Sequence, residues 1–321
     1  MSERLPPAAR RVLEDAVLCW IAVSTPNGPH CTPVVFVLDG GRLWLTTARG
    51  SVKARAWRER PHVAGLVVAG GVAVSLRGEV RAFDALDPFS WPAATIDAPR
   101  IARAAARFSM KNAKFFAGYA VDARRVPFAW TPPGRVFAEV RLTEGLVIEG
   151  GRLTPWGAWL PGLVAARGSY QPLPRTRLID LRVPRDVRER VGDEGTGALA
   201  VGPAGRPAVL PARWRRLAGE GCYEVAASAG ALGFAAVRDG TPAALTIDRA
   251  SSWRAAGMAG MSLSGTAELF VPERGAKGRL RMIEHLERIT TDAPAEQLAL
   301  VRIRPERAVW WRGWASGTVA R

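Results

Sequence analysis

Cysteine and histidine are scarce in this chain of 321 residues, which holds three of each. Cys19, Cys31 and Cys222 are odd in number and without paired spacing, which argues against a disulfide framework and a zinc site. His30, His62 and His285 show no ligand spacing. No G-x-S-x-G elbow is present, so the sequence offers no Ser/His/Asp hydrolase. No G-x-G-x-x-G stands between a strand and a helix, and Gly70-Gly71 reads as a turn. The longest apolar stretch, Val63 to Leu76, is interrupted by those glycines and is too short to span a bilayer. Met1 to Arg11 lacks the apolar core of a signal peptide. The expectation is a cytoplasmic protein without a membrane partner.

Acidic residues are also short: 29 Asp and Glu stand against 45 Lys and Arg, a net charge of +16. A nucleic-acid binder is one reading of that balance. The basic residues are scattered, however, with no block of five or six like charges. An anionic small ligand, or simply arginine-rich usage, explains the charge equally well. Hydrophobic residues make up 48% of the chain, enough for two packed cores.

What is present is a repeat. Pro7, Arg11, Pro26 and Gly28 recur 177 residues later as Pro184, Arg188, Pro203 and Gly205. Pro33 and Pro211 are 178 apart, and Ser75-Leu76-Arg77-Gly78 matches Ser262-Leu263-Ser264-Gly265 at 187. Ala138 to Leu142 resembles Ala299 to Ile303 at 161, which implies an insertion between Asp84 and Trp130. Each half opens with a short helix (Pro7 to Val17; Pro184 to Val191). The first half continues with strands at Cys19 to Ser24, Thr32 to Leu38 and Arg42 to Thr47. Asn27-Gly28 and Gly40-Gly41 mark the hairpins. A helix from Ser51 to Glu59, two strands around Gly70-Gly71, a helical stretch from Arg100 to Phe116 and a strand from Phe137 to Leu142 follow. Short strands, tight turns and one inserted helix predict a small closed barrel in each half, mainly β with helices. The domains are expected at 1–150 and 176–321. A Gly- and Pro-rich linker joins them at 151–175, where Trp156, Trp159 and Tyr170 pack across the interface.

The repeat singles out one segment. Thr46-Thr47-Ala48-Arg49-Gly50-Ser51-Val52-Lys53 aligns, at a spacing of 180, with Ala226-Ala227-Ser228-Ala229-Gly230-Ala231-Leu232-Gly233. Thr46, Thr47, Arg49, Ser51 and Lys53 all donate hydrogen bonds, and a helix N-terminus adds unpaired backbone N–H groups. In the second copy all five positions are Ala or Gly. A capping turn alone would not require that contrast, so the first copy reads as a phosphate site. Charge-assisted hydrogen bonds contribute about 1.5–3 kcal/mol each. Three of them, after ordering losses, are consistent with micromolar binding, about −8 kcal/mol. Arg213-Trp214-Arg215-Arg216 replace Val35-Phe36-Val37-Leu38 and read as an exposed strand face or a second anion contact.

The run from Leu18 to Val68, with Thr-Pro-Val-Val-Phe-Val at 32–37 and Thr-Thr-x-Arg-x-Ser-x-Lys-Ala at 46–54, resembles the pyridoxamine 5′-phosphate oxidase-like proteins. That resemblance implies split β-barrels that bind FMN or the related deazaflavin, with the phosphate on Thr46, Thr47, Arg49, Ser51 and Lys53. Family members are usually homodimers with two shared flavins. This chain looks like such a dimer fused into one polypeptide, two tandem split β-barrels packed as a pseudo-twofold dimer, which implies a monomer and leaves further dimerisation open. A second asymmetry fits. Val309-Trp310-Trp311-Arg312-Gly313-Trp314 aligns at 161 with Ile148-Glu149-Gly150-Gly151-Arg152-Leu153, so the aromatic and basic cluster survives only in the second half. Trp311, Arg312 and Trp314 are then expected to meet the flavin ring whose phosphate the first half holds. The implied function is a flavin- or deazaflavin-dependent oxidoreductase passing hydride to a small molecule. A non-enzymatic flavin carrier, a nucleic-acid binder and vitamin B6 oxidation are the alternatives, in that order. Some relatives bind haem, for which His285 is the one candidate, and its expected place is a polar helix surface.

Overall fold

The structure is a computed structural model that describes residues 5–121, 134–160, 181–203, 205–217, 221–249, 257–272, 279–290 and 293–321. Tyr170 and most of the expected linker lie outside the described residues.

The first half runs α1 (Pro7–Asp15), β1 (Leu18–Thr25), β2 (Gly28–Asp39), β3 (Arg42–Ala48), α2 (Val52–Glu59), β4 (His62–Ala69) and β5 (Val72–Phe83). It continues with α3 (Trp91–Ile96), α4 (Ala98–Lys111), α5 (Ala113–Val121), β6 (Arg135–Glu149) and β7 (Arg152–Gly157). The second half runs α6 (Arg185–Val191), β8 (Glu194–Val201), β9 (Ala208–Leu217), β10 (Cys222–Ser228), α7 (Ala229–Phe234) and β11 (Pro242–Arg249). β12 (Ala259–Phe270), α8 (Arg279–Ile289), β13 (Leu298–Arg312) and β14 (Ala315–Ala320) complete it. The single helical stretch expected at 100–116 is thus two helices, parted at Asn112. The buried Asn112 side chain donates to the Phe108 and Phe36 carbonyls, 2.9 and 3.4 Å away.

Both sheets have the same order. β3-β2-β1-β4-β5-β6-β7 closes through β3–β6, and β10-β9-β8-β11-β12-β13-β14 closes through β10–β13. Each is a closed antiparallel barrel of six strands with a seventh strand on its last long one. Local chemistry sets the corners. Gly70 and Gly71, at φ 57° and 78°, supply the left-handed pair that a two-residue hairpin needs. Gly78 and Gly265 sit at matching register shifts, where an added Cβ would lie 2.4 and 2.3 Å from a carbonyl oxygen of the neighbouring strand. Both barrels therefore bend at the same glycine. Inward positions build two cores, around Ile21, Phe36, Leu43, Leu45 and Leu76 in the first and Leu199, Leu210, Trp214, Leu245 and Val301 in the second. Trp214 is buried, so the Arg-Trp-Arg-Arg run is not a fully exposed face. Its tryptophan belongs to the core and donates to the Thr196 carbonyl at 3.1 Å.

Between the barrels lies a third cluster of small side chains, Ala22, Cys31, Ala64 and Ala73 against Ala198, Ala200, Val209 and Ala244. Ala22 pairs with Ala64 in one sheet as Ala200 pairs with Ala244 in the other. The same patch is used twice, face to face, as a twofold contact requires. Thr246 donates to the Cys31 carbonyl (2.9 Å) and the Trp20 indole to Asp248 (2.6 Å) across it.

The register corrects two alignments. Past β3 and β10 the spacing of 180 fails. Ser51 accepts from the Ala54 amide as N-cap of α2, and Ser228 accepts from the Ala231 amide as N-cap of α7. The second turn is three residues shorter, and its capping serine is retained. Lys53, second in α2, is matched by Gly230, second in α7. Arg49 has no counterpart at all. In the last long strand the true spacing is 163: Gly78 pairs with Leu142 and Gly265 with Pro305. Trp311 therefore corresponds to Ile148 and Trp314 to Gly151. A shift of two leaves the inward and outward faces of a strand unchanged, so the hydrophobic pattern alone fits both registers.

Candidate functional site

Where β3 ends and α2 begins, four of the expected donors converge. Thr47 and Ser51 share a hydrogen bond between their hydroxyls (3.0 Å), and Ser51 caps the helix. Thr46 accepts from Arg135 Nε at 2.5 Å, and Arg135 also donates to the Thr46 carbonyl at 3.0 Å. Lys53 is buried and donates to the Thr32 hydroxyl. Burial pulls its pKa down to about 8, with Arg135 adding repulsion. Burial, with Lys53 and Arg307 nearby, holds the neighbouring His30 down to about 3, so it is a neutral imidazole.

Thr46, Thr47, Ser51 and Lys53 line a cavity of about 390 Å³, within the usual range for small-ligand pockets. Its other wall comes from the second half. Trp310, Trp311, Gly313 and Trp314 approach from the turn between β13 and β14, with Met258 beside them. Phe115 and Phe116 of α5 also line it. The insertion in the first half therefore borders the cavity. The Trp311 indole lies against Gly260, and its buried N–H has no acceptor among the described residues.

Two expected residues stand apart from these. Arg49 pairs with the buried Asp84, which Arg58 also approaches (3.5 Å), and Arg312 pairs with Asp186. Neither is among the cavity's lining residues. Three lining residues were not legible in the sequence. Thr32 and His30 arrive through the β1–β2 hairpin, and Arg135 arrives because it pairs with Ala48 in the β3–β6 closure.

The equivalent place on the other side of the pseudo-twofold is filled. An added Cβ on Gly230 would lie 2.7 Å from Leu153, and one on Gly151 would lie 2.9 Å from Gln297. Trp159 seals it further, packing edge-on against Phe234 and donating to its carbonyl at 2.5 Å. One half-site is open and polar, and its partner is packed with apolar side chains.

His285 is not a free surface residue. It contacts Glu224 at 2.5 Å, and that buried carboxylate also accepts from Arg302 (2.9 Å). The histidine and the arginine hold the Glu224 pKa below the usual range against the effect of burial. Among the described residues no group of three metal-ligating side chains occurs, and no helix is long and apolar enough to cross a membrane.

Fold and cavity together define a tandem split β-barrel protein with an open pocket between its barrels. Residues 5–115 match the family model described as pyridoxamine 5′-phosphate oxidase, and the chain is similar to that family in tandem form. No protein of curated function matches it. Among solved structures, it is similar to a FAD-binding protein from Mesorhizobium loti (15% identity, 44% of this chain and 94% of that one, TM-score 0.33). It is also similar to a pyridoxamine 5′-phosphate oxidase-related, FMN-binding protein from Nostoc punctiforme (17%, 46% and 86%, 0.33). An F420 reductase gives 19%, 44% and 98%, with a TM-score of 0.29. Each of these chains is nearly fully covered by less than half of this one.

Proposed function

We propose that the chain binds one FMN, or the related deazaflavin, between its barrels and acts as an oxidoreductase on a small molecule. One observation carries this reading. The pocket joins the polar strand-to-helix turn of the first barrel to the tryptophan turn of the second, and the mirror pocket is packed shut. The donor set fits a phosphate: two threonine hydroxyls, the capping serine, a buried ammonium and the Arg135 guanidinium. The unpaired Trp311 N–H fits an acceptor on the ligand, and the indoles of Trp311 and Trp314 offer flat apolar surface to a ring. When bound, such a cofactor supplies hydride chemistry at its central ring. The protein's part is to bind, orient and exclude water. The neutral His30 and the buried Lys53 line the cavity together with Arg135.

Titration of the purified chain with FMN, followed by flavin fluorescence, is expected to saturate at one equivalent per chain. Lys53→Met should weaken binding about tenfold or more, since one charge-assisted hydrogen bond contributes about 1.5–3 kcal/mol. Saturation at two equivalents, or no binding of either FMN or the deazaflavin, would refute the single-site reading. Turnover with a reduced nicotinamide or reduced deazaflavin then separates an enzyme from a carrier.

A further inference from the structure

Lysine is rare in this chain. Of the 45 basic residues only four are lysine, Lys53, Lys111, Lys114 and Lys277, and the rest are arginine. A guanidinium stays charged under ordinary conditions, whereas a buried amine can shed its proton and act as a nucleophile. Where it carries positive charge, this chain overwhelmingly uses the group that cannot do so. Lys53 is the exception inside the inter-barrel cavity.

The Lys53 side chain is buried and lines that cavity. Among the described residues it donates to the Thr32 hydroxyl and makes no ion pair. The remaining polar wall is a separate set of groups. Arg135 holds Thr46, and Ser51 at the start of α2 shares a hydrogen bond with Thr47. Their donors suit an anion. The same cavity therefore offers a guest both an anion-binding wall and an amine. Leu18, Val34, Val35 and Met258 add apolar lining, which favours the loss of water on which an imine depends.

Lys111 is a natural control. Burial brings its pKa to about 8, as it does for Lys53. However, Lys111 donates to the Leu13 carbonyl (3.1 Å) and sits over the Phe36 ring (4.4 Å). The hollow around it is lined by Glu14, Val37, Leu38, Arg107 and Met110, without a hydroxyl. Lys114 is exposed, and Lys277 lies outside the described residues.

We infer that Lys53 is a covalent site for a small phosphorylated aldehyde, held by its phosphate on the Thr46, Thr47, Ser51 and Arg135 wall while the amine adds to its carbonyl. The lone pair of the neutral Nζ attacks the carbonyl carbon and a C–N bond forms. The carbonyl oxygen takes up a proton, giving a carbinolamine. The C–O bond then breaks, water leaves, and the nitrogen loses its proton to leave an imine. Amine and aldehyde go in, imine and water come out, and nothing is oxidised or reduced. The Thr32 hydroxyl, already bonded to Nζ, stands where the proton leaves. This guest is separate from the flavin proposed above and would compete with it for the cavity.

The test treats the whole chain with glycolaldehyde phosphate near pH 8, where the Lys53 and Lys111 amines are both partly neutral. Cyanoborohydride reduces any imine to a stable amine, and peptide mass spectrometry reads the four lysines. Lys53 is expected to be labelled about tenfold faster than Lys111 or more, the factor that one charge-assisted hydrogen bond to the phosphate supplies. Glycolaldehyde, which lacks the phosphate, should lose that preference, and Arg135→Gln should reduce it. FMN should protect Lys53 and leave Lys111 reactive. Equal labelling of Lys53 and Lys111 by the phosphorylated probe, or none at Lys53, overturns the covalent site. FMN binding without labelling at Lys53 does so and leaves the proposed function standing. Preferential labelling at Lys53 in a chain that takes up neither FMN nor the deazaflavin supports the covalent site and removes the proposed function.

Discussion

At the scale of single residues, Lys53 is the most informative side chain. Its ammonium is buried beside Thr32, and burial, with Arg135 adding repulsion, pulls its pKa down to about 8. A lowered lysine pKa means the folded apoprotein binds the proton less well than the unfolded chain. Its contribution therefore destabilises the fold below pH 8 and is relieved as pH rises. A phosphate beside the ammonium reverses the balance by favouring the charged form. Affinity for FMN should accordingly be flat from about pH 7 to 8, where the phosphate is fully ionised, and fall as pH rises above it. In Lys53→Met the fall near pH 8 should vanish, which a titration series across that range would reveal. The contrast with the second repeat and the family resemblance, rather than residue types alone, singled out Thr46, Thr47, Ser51 and Lys53 in the sequence, and the structure brings these four to one cavity. Arg135 was not legible. It reaches Thr46 only through a strand pairing that spans 89 positions of the chain.

At the scale of elements, the two strand-to-helix turns form an internal comparison. Ser51 and Ser228 cap α2 and α7 in the same way, but only Ser51 faces the open cavity. Loss of a capping serine costs about 1 kcal/mol. Ser51→Ala and Ser228→Ala should lower stability to denaturant by similar amounts, while only Ser51→Ala weakens FMN binding. Equal effects on binding would remove the distinction between the turns. The elements themselves were largely visible in the sequence, since Asn27-Gly28, Gly40-Gly41 and Gly70-Gly71 each fix a hairpin. The register of the long last strand was not. It rests on the Gly78 and Gly265 bulges and on barrel closure, neither of which leaves a periodic trace.

At the scale of the whole molecule, the small residues of the seam control the site. Ala22, Ala64, Ala200 and Ala244 let the barrels approach closely enough for Trp311 and Lys53 to line one pocket. Ala200→Leu should overpack the seam at about 1–3 kcal/mol. It should keep the β-sheet circular dichroism yet lose ligand binding, and intact binding would show that the seam does not set the pocket. The high positive charge is partly absorbed within the fold. Buried Asp39, Asp84, Glu139 and Glu224 each hold one or more basic side chains. These pairs fasten the helices to the barrels, as Arg103 and Arg107 of α4 do on Asp39 (3.0 and 2.5 Å).

The sequence by itself determined the duplication, the hairpins, the closed-barrel character and the polar turn after β3, because propensity, turn chemistry and hydrophobic alternation are local properties. Only the tertiary structure decided how the other half-site is shut. That outcome depends on Leu153 filling the place beside Gly230 and on Arg77 bridging one side of the seam where Ser264 leaves the other unbridged. Such contacts join residues far apart in the chain, and their effect lies in the volume they occupy, which no local pattern of residues encodes.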